Sequence, residues 1–185
     1  LWTRRLDPLY RPETFLEALA RLRAKQVAFT ATMAGDGAAR PAVEERARAL
    51  GVRDAIRFVG WVGDAELKAL LSSHDVYVSL SRSDSTSQSL LEAMAAGLVS
   101  VVSDIEGNRE WVTHRREGYL VPGDDAEAVS CAIAEIAAGS TSREPLGDAG
   151  AMADRARAKV AALARFEDTV GASEAHLEAI SRAKT

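Results

Sequence analysis

What this chain lacks narrows it first. Its 185 residues hold a single cysteine, Cys131, so no internal disulfide framework can staple it. Cys131 lies in the helical-looking run "DAEAVSCAIAEIAA", and the spacing there predicts a small, buried core side chain. Nothing resembles a signal peptide, and no apolar run approaches the about 20 residues that span a bilayer. We therefore expect no transmembrane segment and a reducing, cytoplasmic setting. Basic charge is also scarce: Lys plus Arg number 23 against 27 Asp plus Glu, a net charge of −4, and no basic run exceeds "TRRL" or "HRRE". A nucleic-acid partner needs a basic stripe and is not expected. G-x-G-x-x-G, a Walker-type lysine motif and the G-x-S-x-G elbow are all missing, which removes the usual signatures of dinucleotide, P-loop and serine-hydrolase sites. The three histidines, His74, His114 and His176, form no H-x-x-x-H pair, so no metal site is expected. The chain opens on "LWTRRLDPLY" without a methionine, which reads as a piece of a longer protein.

What is present is a soluble-looking core, with 47% of residues hydrophobic and alanine-rich helical stretches. Short β-branched runs, "VAFTATMAG" (27–35), "AIRFVGWV" (55–62), "DVYVSLS" (75–81) and "LVSVVSD" (98–104), each end in Gly, Ser, Val or Asp and read as strands. "REGYLVPGD" supplies one more. Between them, "PETFLEALARLRAK", "ARPAVEERARALG", "DAELKALLSSH" and "SQSLLEAMAAG" carry apolar residues at three- and four-residue spacing and read as amphipathic helices. Regular alternation of this kind predicts α/β architecture: a Rossmann-like, three-layer α/β/α fold around a parallel sheet. Residues 1–138 form the predicted unit. Residues 139–185, with "AMADRARAKVAALARF" and "TVGASEAHLEAISRAK", read as a helical extension of the same domain.

In such sheets ligands bind outside the carboxyl ends of the strands, where loops feed helix N-termini. Of the four loops at that edge, "SRSDSTSQ" is the most polar. Gly35-Asp36-Gly37 is a tight strand-to-helix turn that is a weak sign of a site by itself, and a turn needing backbone freedom is the favoured reading over a ligand loop. From Gln88 onward a helical wheel puts Leu90, Leu91, Met94, Ala95 and Leu98 on a buried stripe and Gln88 with Glu92 on another face. Asp84 precedes the helix, so a phosphate can meet the free N–H groups while the carboxylates accept from sugar hydroxyls. The competing reading is a capping box, in which Ser89 caps the helix and Glu92 only returns a hydrogen bond to the backbone.

The stretch "SDSTSQSLLEAMAAGLVSVVSDIEGNREWV" resembles the donor-binding half of retaining glycosyltransferase family 4, GT-B enzymes with the pattern E-G-F-G-L-x-x-L-E-A-M-A-x-G-x-P-V-V. "TRRLDPLYRPETFLEAL" resembles the family's G-R-L-x-x-x-K segment, and "REGYLVPGDDAEAVSCAI" its closing G-x-L-v-x-p-x-D. The resemblance runs from residue 1 to about Ala138 and implies one half of a GT-B architecture. It further implies that Glu92 accepts hydrogen bonds from the nucleotide ribose and that Asp84 faces the donor sugar near its anomeric centre. Thr86, Ser87, Gln88, Ser89 and Leu90 would present N–H groups to the sugar and diphosphate, beside Ser85. Arg5 would neutralise the leaving diphosphate, and the base would lie near Gly60, Trp61 and Val62. No cofactor is implied beyond the nucleoside diphosphate sugar, and the acceptor (a sugar, lipid or small molecule) would be held by a second, N-terminal domain. Peripheral membrane contact of the full protein is compatible with that arrangement.

The departures are specific. Asp84 replaces a glutamate, Ser85 and Ser87 replace glycines, Tyr10 stands where a lysine is usual with Arg11 beside it, Val99-Ser100 replaces Pro-Val, and Asn108-Arg109 replaces an apolar-Pro pair. Two functions therefore compete: the donor-binding domain of a transferase, and a GT-B-like binding or scaffold domain that has lost the chemistry.

Overall fold

The computed structural model describes residues 1–140 and 147–163. Among them, strands and helices alternate: α1 (Pro12–Ala24), β1 (Ala31–Ala34), α2 (Arg40–Ala49), β2 (Ile56–Gly60), α3 (Asp64–Ser72), β3 (Val76–Ser79), α4 (Gln88–Ala96), β4 (Val99–Ser103), α5 (Glu106–Arg109), β5 (Gly118–Val121), α6 (Ala126–Ser140) and α7 (Gly147–Leu163). Each predicted strand is present but shorter than its apolar run, because the run's ends serve the flanking loops. The helix expected in "TVGASEAHLEAISRAK" lies outside the described residues.

β1 pairs in parallel with β2, and β3 with β4 with β5. The first two residues join these two sheets. Trp2 N–H donates to Thr32 O at 2.9 Å and Ala34 N–H to Trp2 O at 2.8 Å, while on the other side Leu1 N donates to Val76 O at 2.7 Å and Val78 N–H to Leu1 O at 2.9 Å. Leu1–Trp2 thus lies between β1 and β3. Counted as the first strand in chain order, it gives the order 3-2-1-4-5-6, the doubly wound arrangement whose direction reverses between the first and fourth strands. The sequence reading missed this central strand, because two hydrogen-bonded residues are too short to show a period of two.

The pleat sends alternate side chains to opposite faces, and each face has its own core. On one side Val78, Val99, Val101, Tyr119 and Val121 pack beneath Phe15, Leu16, Leu19 and Leu22 of α1, Val43 of α2 and Val129 of α6. On the other, Tyr77, Val102 and Leu98 pack with Leu70 and Leu71 of α3, Leu90, Ala93 and Met94 of α4, and Ala156 and Val160 of α7. The result is the expected three-layer α/β/α fold. α7 packs on α4 as well as on the sheet, so the described part of the extension is built into this core.

Two helical details differ from expectation. The buried face of α4 is Leu90, Ala93 and Met94, whereas Ala95 is exposed and Leu98 lies beyond the helix end, after Gly97 at φ +86°. Cys131 is exposed rather than buried, its Sγ 3.3 Å from both Lys25 Nζ and Glu127 Oε1. α6 presents Val129, Ala132 and Ile136 to the core, and Cys131 falls on the opposite side of that stripe.

Candidate functional site

The carboxyl ends of the central segment and of β3 face each other where the sheet reverses direction, and there the chain concentrates its polar groups. Arg4 follows Trp2–Thr3 out of the sheet. Its Nη2 donates to Asp84 Oδ2 at 2.6 Å, and its Nη1 donates to the hydroxyls of Ser87 at 3.0 Å and Ser89 at 2.9 Å. The guanidinium also lies over the Tyr10 ring at 4.4 Å. From β3, the Tyr77 hydroxyl donates to Ser89 Oγ at 2.9 Å. The side chains of Arg4 and Asp84 are 13% and 19% exposed, so this is a largely desolvated pair.

Sequence reasoning placed Asp84, Ser87 and Ser89 in the site but passed over Arg4 and Tyr77. A signal existed for Arg4: an arginine stands where the G-R-L pattern has glycine. Tyr77 sat inside a strand-like run and read only as core.

The same geometry decides the capping question. The N-cap of α4 is Ser87, not Ser89, and the N–H groups of Leu90 and Leu91 both donate to Ser87 O. Glu92 sits beyond the third helical position, and its Oε1 accepts from Gln88 Nε2 at 2.9 Å. A Ser89–Glu92 capping box is therefore absent, and Gln88 and Glu92 share a face as helical spacing expects. Glu92 makes no hydrogen bond to the Arg4 cluster among the described residues.

The surrounding loops are braced from behind. Gly35, at φ +154°, and Gly37 let the turn after β1 press on the Arg4 and Leu6 carbonyls, where any Cβ would collide with backbone. Leu6 N–H donates to Asp36 O at 3.1 Å, tying the turn to the segment that carries Arg4. These glycines thus serve close approach of the turn to the segment that carries Arg4. Gly107 of α5 plays the same part against the Asp84 and Ser85 carbonyls. Asn108, buried, donates from Nδ2 to Ser103 O at 2.8 Å, and Ser103 Oγ donates to Ser81 O at 2.7 Å. Ser81 and Asn108 are accordingly part of the support, while Ser85 and Thr86 stand exposed at the rim.

The cations are unequal. Arg5 is exposed and forms no ion pair among the described residues. Arg11 has φ +53° and donates from Nη1 to Leu80 O at 3.1 Å, beneath the loop. Burial, together with nearby Arg82, lowers its pKa against the pull of Asp124. Gly60 and Trp61 lie at the same edge of the sheet, two strands away from the cluster, with Trp61 82% exposed. No His/Cys/Asp/Glu group suited to a metal ion occurs among the described residues, and none of their helices is long and apolar enough to cross a membrane.

The fold is a doubly wound α/β domain of the kind found in GT-B glycosyltransferases. The family model of the group 1 glycosyl transferases matches residues 1–152, and the chain belongs to that family. It is 31% identical over 137 residues to the lipopolysaccharide core biosynthesis glycosyltransferase LpsE of Rhizobium meliloti, covering 74% of this chain and 38% of that protein. It is 37% identical over 111 residues to a phosphatidyl-myo-inositol mannosyltransferase of Mycobacterium leprae, covering 60% of this chain and 30% of that protein. The chain therefore spans about a third of the length of such relatives. Among solved structures, Staphylococcus aureus TarM in complex with UDP superposes with a TM-score of 0.83 at 17% identity, over 92% of this chain and 33% of that one. Anabaena HepE in complex with UDP gives 0.76 at 24% identity, over 97% and 47%. At these identities the superpositions speak for the fold.

Proposed function

We propose that this chain is the donor-binding domain of a retaining glycosyltransferase (a hexosyltransferase, EC 2.4) and takes a nucleoside diphosphate sugar whose sugar passes to an acceptor held elsewhere. The observation that carries the reading is the polar assembly at the sheet's reversal point, where Asp84, Ser87 and Ser89 meet the N-terminus of α4. A helix N-terminus supplies N–H groups and positive partial charge to a phosphate. Leu90 N–H is taken by Ser87 O, so within Thr86–Leu90 the N–H groups of Thr86, Ser87, Gln88 and Ser89 are those left to meet the diphosphate.

In this reading Asp84 accepts from the donor sugar, Ser85 and Thr86 line the rim, and Glu92, released from Gln88, accepts from the ribose hydroxyls. Arg5, exposed at the mouth, supplies positive charge to the departing diphosphate. Such preorganised charge is most effective where leaving-group charge develops, and it needs no metal ion. The base lies along Gly60 and Trp61. Residues 139–185 complete the domain as its helical extension, the acceptor half lies in another domain, and the enzyme works in the cytoplasm in carbohydrate biosynthesis. This chain alone binds donor and turns over little.

Titration calorimetry with UDP, GDP and ADP tests the proposal. The expected outcome is saturable binding of one nucleotide that is lost in Glu92→Ala. Because the hydrogen bond of the Glu92 side chain among the described residues is the one from Gln88, that variant forgoes about 0.2–0.5 kcal/mol of helix pairing and should stay folded. Undiminished binding by Glu92→Ala would remove its ribose role, and absence of any binding would overturn the donor-site reading.

A further inference from the structure

Arg4 makes three side-chain hydrogen bonds and a ring contact, yet no transfer step requires it. It bridges two elements that are 80 residues apart in sequence: the segment leaving the central strand and the loop that enters α4. Two of its nitrogens make three hydrogen bonds, its face covers Tyr10, and its partner Asp84 is largely removed from water. Without Arg4, the Asp84 carboxylate would lose its ion-pair partner at the entry to α4, the end of the helix where an anion is drawn. At separations of about 4–6 Å in a partly desolvated crevice, like charges repel strongly enough to decide whether an anion binds.

We propose that Arg4 is a positioning and charge-cancelling residue of the anion site: it neutralises Asp84 and fixes the entry of α4, so that a diphosphate can be accepted next to a carboxylate. The inference rests on the donor-site reading above and adds a residue to it. Arg4 acts through Asp84, and the phosphates need not touch it.

The test is a set of UDP titrations, since UDP carries the diphosphate but no donor sugar to engage Asp84. Four proteins are compared with the wild type: Arg4→Met, Arg4→Lys, Asp84→Asn and the double variant Arg4→Met/Asp84→Asn, each first checked for a cooperative thermal transition. Arg4→Met should weaken UDP binding by about tenfold or more, the scale of one uncompensated nearby charge. Arg4→Lys should stay within about threefold of wild type, Asp84→Asn, which leaves the Arg4 charge uncompensated, should bind UDP more tightly than wild type, and the double variant should recover most of what Arg4→Met lost.

If the double variant binds as weakly as Arg4→Met, Arg4 is either a direct phosphate contact or a purely structural bridge, and charge cancellation is refuted. If Arg4→Met binds like wild type, the proposal fails outright while the donor-site reading stands. Failure of the wild type itself to bind UDP, GDP and ADP would instead remove the underlying reading.

Discussion

Replacing Gly107 with alanine puts one methyl group into the support of the candidate site. A Cβ there would overlap the carbonyl oxygens of Ser85 and Asp84 and the Ser85 carbonyl carbon, all backbone atoms. None of these can swing aside like a side-chain tip, so either α5 or the 84–85 loop must move. Overpacking of this kind costs about 1–3 kcal/mol. Against it, alanine is the better helix former by about 0.5–1 kcal/mol, and Gly107 holds no left-handed backbone that would penalise it. The net destabilisation is then of the order of 0.5–2 kcal/mol, a fall in Tm of about 1–8 °C for a chain of this length. The displaced loop carries Asp84, so the Arg4 pair at 2.6 Å should open and UDP binding should weaken together with stability. Gly139→Ala is the control, because a Cβ there meets nothing within 4 Å. Thermal melts followed by circular dichroism, with parallel UDP titrations, give both readouts. A Gly107→Ala protein that melts no lower than wild type and binds UDP equally well would refute the close contact between α5 and the site loop.

Three further outcomes follow from the packing. His74 donates from Nδ1 to Leu70 O at 2.7 Å and accepts from the Thr32 hydroxyl at Nε2, 3.0 Å, while burial first and then Arg57 hold its pKa below 6.5 against the Leu70 bond and Asp75. A histidine with a depressed folded-state pKa gives stability that is full above 6.5 and is lost as pH falls through the folded value. Tm should therefore drop more for wild type than for His74→Gln between about pH 7.5 and pH 5, and parallel slopes would contradict this. Met94→Ala, in the core under α4, should cost about 2–5 kcal/mol by chemical denaturation, whereas Ala95→Lys on the exposed side should be nearly neutral. Cys131, being exposed, should react stoichiometrically with a thiol reagent in the native protein; a need for denaturant would show that the thiol is buried.

The sequence by itself determined the alternation of strand and helix and the parallel sheet. Those features rest on local periodicity: β-branched runs such as "VSVVS" bury both faces of a strand, and Leu90, Ala93 and Met94 recur at helical spacing. Asp84 and Glu92 were legible because their spacing around one helix start is local too. What lay beyond the sequence depends on residues distant along the chain. Leu1–Trp2 becomes the central strand only because β1 and β3 offer hydrogen-bonding edges on either side of it. Arg4, rather than Arg5, becomes the partner of Asp84 because successive residues leaving a strand point to opposite faces, and only one of the two reaches α4. Cys131 turned outward for a similar reason: α6 meets α1 and the sheet along Val129, Ala132 and Ile136, and the direction of that contact is set by the neighbouring layers, not by α6's own composition. Periodicity fixes which elements form, while the side of each that is buried, and the charge that answers Asp84, is decided by what packs against it.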